Sequence, residues 1–69
     1  MITLTRLNGS PIIVNIDLIE TVEPTPDTVI TFATGKKLLV AEDVDTVIQR
    51  AVEYKRKIHY FADYQIKEE

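Results

Sequence analysis

Residues 43–65 read DVDTVIQRAVEYKRKIHYFADYQ, the one stretch of this chain that is long and regular enough for an extended helix. At about 100° per residue, Val44, Val47, Ile48, Ala51, Tyr54, Ile58 and Ala62 fall on a single stripe, with Phe61 at its edge. Ile48 sits mid-stripe and is expected in the core. Lys55 points the same way, where its aliphatic stem can lie on the stripe while the ammonium reaches water. Asp43 is a good N-cap, since its carboxylate accepts from first-turn amides that lack helical partners. Asp45 follows in the first turn and Arg50, Lys55, Arg56 and Lys57 lie further along, the sign order that the helix dipole favours. No Gly or Pro interrupts the run. A stripe of this kind needs an apolar surface to cover.

Residues 1–40 supply that surface as a sheet. Ile2 to Arg6 alternates as a strand, with Ile2, Leu4 and Arg6 on one face and Thr3 and Thr5 on the other. Leu7-Asn8-Gly9 makes the turn. With Gly9 left-handed behind a type I turn, Leu4 lies opposite Ile12 and Ile2 opposite Val14, which gathers more apolar residues on one face than a two-residue turn would. Pro11 belongs on an edge or bulge, where its missing N–H is harmless. Asn15-Ile16-Asp17 forms a corner through side-chain bonds to its own backbone, and Leu18 to Val22 is a third strand. Pro24 and Pro26 make residues 23–27 a loop. Thr28 to Thr34 is β-branched and aromatic, a fourth strand. Ala33-Thr34-Gly35 repeats the first turn device, placing Ile30 opposite Leu38 and Thr28 opposite Val40. Ile30, Phe32, Leu38 and Val40 then share the face expected to seat the helix. The fold class is α+β: about five antiparallel strands in a meander, packed against one C-terminal helix. It forms a single domain of residues 1–69, with residues 66–69 expected to fray.

This arrangement leaves Ile13, Val29 and Leu39 on the opposite face, too many aliphatics for a wet surface. Either the sheet curls into a small barrel, or that face meets another subunit. Tyr60 and Tyr64 lie on the back of the helix and Phe61 at the stripe edge, so the last turns are apolar on more than one side. Tyrosines there either fold over their neighbours or make a protein contact, where tyrosine is enriched. Ile13, Val29, Leu39, Tyr60, Phe61 and Tyr64 are therefore the candidate interaction surface.

With 69 residues and no Cys, the chain has neither disulfides nor thiolate metal sites, and a core of this size supplies about 3–5 kcal/mol. Oligomerisation is the remaining reinforcement. The alternation of Ile2 and Leu4 with Thr and Arg6 is unlike a signal peptide, and no apolar run approaches the roughly 20 residues that span a bilayer. A cytoplasmic protein without membrane insertion is expected. The formal charge is −3, and the cluster Lys55-Arg56-Lys57 reads as a solvated helix face, with a phosphate- or lipid-facing patch as the alternative.

No motif with a mechanism is present. Gly9 and Gly35 are the only glycines, so no phosphate loop exists, and neither HExxH nor a serine elbow occurs. Asp43 and Asp45 fit capping better than a cation site. Glu20 and Glu23 read as solvated, and His59 as a surface residue with Asp63 four positions on. No catalytic residue, metal ligand or cofactor is expected.

The opening Met1-Ile2-Thr3-Leu4-Thr5-Arg6-Leu7-Asn8-Gly9, Asn15 with Asp17-Leu18-Ile19-Glu20, Thr25-Pro26-Asp27-Thr28-Val29-Ile30-Thr31, Gly35-Lys36-Lys37 with Val40, and Tyr54-Lys55-Arg56-Lys57-Ile58 together resemble the FlbD/SwrD family of small bacterial flagellar proteins. Thr34 and Asp43 stand where the family often has Asn and Ser, and the tail from His59 on matches no pattern of it. The resemblance implies a non-enzymatic cytoplasmic protein that supports motor power for swarming, through contact with a flagellar motor or stator component. A second resemblance is confined to the start: Met1 to Arg6 followed by Gly9 is similar to CsrA-type RNA-binding regulators. That likeness fails past residue 14, and a chain with one cation in its first 35 residues is poorly equipped for the phosphate contacts that bind RNA. No nucleic-acid partner is expected.

Overall fold

The computed structural model describes residues 1–24 and 26–68, with side chains as far as Ile58. Five strands and one long helix follow in the order β1 (Ile2–Thr5), β2 (Pro11–Val14), a 3₁₀ turn (Ile16–Leu18), β3 (Ile19–Glu23), β4 (Thr28–Phe32), β5 (Lys37–Val40) and α1 (Val44–Glu68). All strand pairs are antiparallel, as the alternation predicts. The helix is continuous to Glu68, past the stop expected near Gln65.

Both hairpins adopt the expected registers. Ile2 pairs with Val14 and Leu4 with Ile12 in the first; Thr28 pairs with Val40 and Ile30 with Leu38 in the second. Their turns depend on glycine, with φ of +92° at Gly9 and +90° at Gly35. A β-carbon strains that region. Asn8 adds support by accepting from the Ser10 amide at 2.9 Å. At the corner, Asn15 accepts from the Asp17 amide at 3.0 Å, which winds Ile16–Leu18 into the 3₁₀ turn and delays β3 to Ile19.

The strands divide into two sheets, β1-β2 and β3-β4-β5. A bridge between Arg6 and Val40 and a bond from the Ala41 amide to the Thr5 carbonyl at 2.8 Å carry β5 into β1, so the strands curl around one core. Ile2, Leu4 and Val14 come from the first sheet, Ile30 and Val40 from the second, and Val47 from the helix.

Two expectations need correcting. The face of Ile30 and Val40 is not covered by the helix alone: Ile2, Leu4 and Val14 of the β1-β2 hairpin join Val47 of the helix in the same buried cluster, and the principal strand neighbour of α1 is β1. Phe32 and Leu38 remain partly buried. Among the described side chains of the helix, Val47 is the buried residue at 1% exposure, whereas Ile48 is 50% exposed and Ile58 is also exposed. The axis is rotated so that Val44, Val47, Ala51 and Tyr54 turn inward, and the stripe lies to one side of the direction that its hydrophobic centre implies.

Candidate functional site

The helix is fixed by a clamp at its start. Asp43 caps it, accepting from the Thr46 amide at 2.8 Å; the Thr46 hydroxyl and amide hold the Asp43 carboxyl below its usual value. Next to it, Glu42 reaches back to β1. Its Oε1 accepts from the Thr5 amide at 2.9 Å and its Oε2 from the Thr5 hydroxyl at 2.8 Å. Arg50 Nη1 donates to the same Oε2 and to the Thr3 carbonyl, each at 2.9 Å. Burial pushes the Glu42 carboxyl up, but the bonds from Thr5 and Arg50 outweigh it and hold the group below its ordinary value. Further along, Lys55 pairs with Asp17, which lowers the Asp17 carboxyl, and Arg56 lies 3.5 Å from Glu53. Two of the three residues in the Lys55-Arg56-Lys57 cluster thus hold ion pairs within the fold.

Two surface grooves lined by described residues bear on the site. The larger, about 710 Å³, lies between β1 and α1 and includes Glu42, Arg50, Glu53 and Lys57, charges of both signs, of which Glu42 and Arg50 are engaged in the clamp and Glu53 with Arg56. The smaller, about 560 Å³, lies between β2 and the β4-β5 turn. Ile12, Phe32 and Leu38 form its half-buried floor, and Arg6, Lys36 and Lys37 stand on its rim. Those are the only cations before Arg50 in the sequence, and both glycine turns carry them to the same end of the molecule. No carboxylate lines this groove, and among the described residues none of the three cations forms an ion pair.

The residues expected to form an interaction surface are only partly brought together. Val29 and Leu39 are direct cross-strand partners, half-buried and 41% exposed respectively. Ile13 is on the other sheet, opposite Thr3, and at 70% is the most exposed of the large aliphatics among the described residues. The curl of the sheet therefore does not bury these side chains. Tyr60, Phe61 and Tyr64, like His59 and Asp63, fall outside the residues whose side chains are described. Ile48 and Val52, one helical turn apart, add an exposed aliphatic strip on α1.

The Glu42–Arg50 clamp and the cationic groove were missed from sequence. Separation in sequence hides the groove, because Arg6 is thirty positions from Lys36. The signal was the parallel placement of the cations, each next to a glycine turn.

The perturbed carboxylates each accept hydrogen bonds that hold the fold, and no three His, Cys, Asp or Glu side chains converge among the described residues. No described helix is long and apolar enough to cross a membrane. No curated protein and no solved structure matches the chain. A family model for flagellar and swarming motility proteins, FlbD, does match, over residues 1–59. That span takes in both hairpins, the corner, the clamp and the helix past Ile58, and the chain belongs to the FlbD family of flagellar and swarming motility proteins.

Proposed function

We propose that this protein is a non-enzymatic accessory of the flagellar motor. It acts in the cytoplasm by protein contact, at or near the motor or its stators, and supports the motor power that swarming demands. The observation that carries this reading is the family match over residues 1–59. The distribution of side chains supports the contact mechanism: charges at the clamp are engaged within the fold, while Ile13, Leu39, Ile48 and Val52 face outward. The test is deletion of the gene in its own bacterium with complementation. Swarm expansion and the torque of tethered cells are measured beside filament staining. Filaments are expected to assemble while torque and swarming fall, both restored by the intact gene. Unchanged swarming refutes the reading, as does a loss of filaments with normal torque in the cells that retain them.

The same reading includes self-association. A chain of this length has a small core, and closed symmetric oligomers are the usual remedy. Light scattering after size exclusion is expected to give a dimer mass for the native chain and a lower mass for Leu39→Lys. A native monomer at tens of micromolar refutes it. A folded Leu39→Lys of unchanged mass moves the interface to the helix, at Ile48 and Val52 or at the Tyr60/Tyr64 end.

A further inference from the structure

The groove between β2 and the β4-β5 turn has two properties that specify what fills it. It follows a strand edge: three consecutive residues of β2, Ile12 to Val14, line it together with Asn15 just beyond the strand, although successive side chains of a strand point to opposite faces. A groove meets both faces in succession only along the edge. That edge is open, because among the described residues β2 has β1 as its only strand partner. Its charge also has one sign. Arg6, Lys36 and Lys37 rim the groove with no carboxylate in its lining, in a chain whose formal charge is −3.

Building on the protein-contact reading above, we propose that this groove takes an extended segment of a partner protein, one in which carboxylates alternate with aliphatic side chains, laid along the free edge of β2. Main-chain hydrogen bonds to an exposed edge give such a complex its affinity, and side chains at every second position give it specificity. One set meets the apolar floor at Ile12, Phe32 and Leu38; the other meets the cationic rim. Pro11 begins the strand and cannot donate, so the usable edge runs from Ile12 onward. A lipid surface fits less well, since a bilayer is entered by protruding side chains whereas this site is concave with a half-buried floor.

The experiment is an amide-resolved NMR titration of the full chain with three probes: a capped peptide of alternating Val and Glu, its Val and Lys counterpart, and phosphatidylglycerol vesicles. The Val-Glu peptide is expected to shift the amides of residues 12–15 and 36–38. The exposed double substitution Lys36→Glu/Lys37→Glu is expected to retain a folded spectrum and to weaken that peptide by at least about tenfold. It should also gain binding of the Val-Lys peptide, a reversal that mere unfolding cannot produce. Equal binding of both peptides by the native chain, shifts confined to other residues, no binding, or vesicles binding in place of the peptide each overturn the proposal. The double variant is then returned to the swarming assay. Peptide binding lost with swarming intact refutes the groove's role and leaves the accessory function standing. A gene deletion without effect on swarming refutes the accessory function and leaves the peptide site standing.

Discussion

Adjacent helix positions test the orientation of α1 most directly. Val47 is 1% exposed and Ile48 is 50% exposed, though the sequence places both on one stripe. Val47→Ala deletes two buried methyl groups, about 1.6 kcal/mol at roughly 0.8 kcal/mol each. A residual cavity raises this to about 2–2.5 kcal/mol, and the better helix propensity of alanine returns about 0.5 kcal/mol. The net cost is about 1.5–2 kcal/mol, near half of the ~3–5 kcal/mol that a core of this size supplies. Ile48→Ala deletes three carbons, but at half exposure the transfer cost is only about 1.2 kcal/mol, with no cavity to add. After the same propensity gain it falls below about 1 kcal/mol. Urea unfolding followed by circular dichroism reads the difference. With a slope of about 1 kcal/mol per molar urea, Val47→Ala should lower the midpoint by about 1.5–2 M and Ile48→Ala by under about 1 M. An Ile48→Ala shift equal to or larger than that of Val47→Ala, at a concentration where the chain is monomeric, refutes this orientation. A cost of Ile48→Ala that grows with protein concentration places Ile48 in an interface between copies, because association stabilises by mass action.

Gly9→Ala and Gly35→Ala should each lower stability by about 1–2 kcal/mol through backbone strain alone, since an added β-carbon meets nothing within 4 Å at either site; Gly35→Asn, measured by the same urea midpoint, should recover part of the loss. Acid should destabilise the fold. The Asp17, Glu42 and Asp43 carboxyls lie below ordinary values of 3.8, 4.5 and 3.8, so their contribution is fully present above those values and is lost as pH falls through the lower folded values. Urea midpoints for Glu42→Gln should be lower near neutrality and fall less steeply below about pH 4.5; an unchanged slope refutes the role given to the clamp. Titration with short single-stranded RNA at physiological salt should show no sequence-dependent binding, and submicromolar discrimination between sequences would favour the RNA-regulator reading.

What sequence alone determined here is local. Gly9 and Gly35 mark left-handed turns because a β-carbon is strained there, and each turn sets the register of its hairpin, since the side-chain period of two lets only one alignment gather Ile2, Leu4, Ile12 and Val14 on a face. The corner at Asn15 and the cap at Asp43 are equally legible, being side-chain bonds to amides two and three residues away. The exposed aliphatics Ile13 and Leu39 could be named, but their distribution over separate sheets could not. Tertiary structure decided that the strands form two sheets joined through Arg6 and Val40, that the β1-β2 hairpin shares with the helix the cluster around Ile30, and that Val47 turns inward in place of Ile48. The helical stripe is wide, at least about 100° of arc, so periodicity shows that a helix has an apolar side without choosing which residue of that side points at the core. That choice depends on where the axis lies, and the axis is held by Glu42 and Thr5, 37 residues apart. The cationic groove has the same origin: Arg6 and Lys36 share a rim only because β5 returns alongside β1 through the Arg6–Val40 bridge, a long-range pairing that no local rule contains.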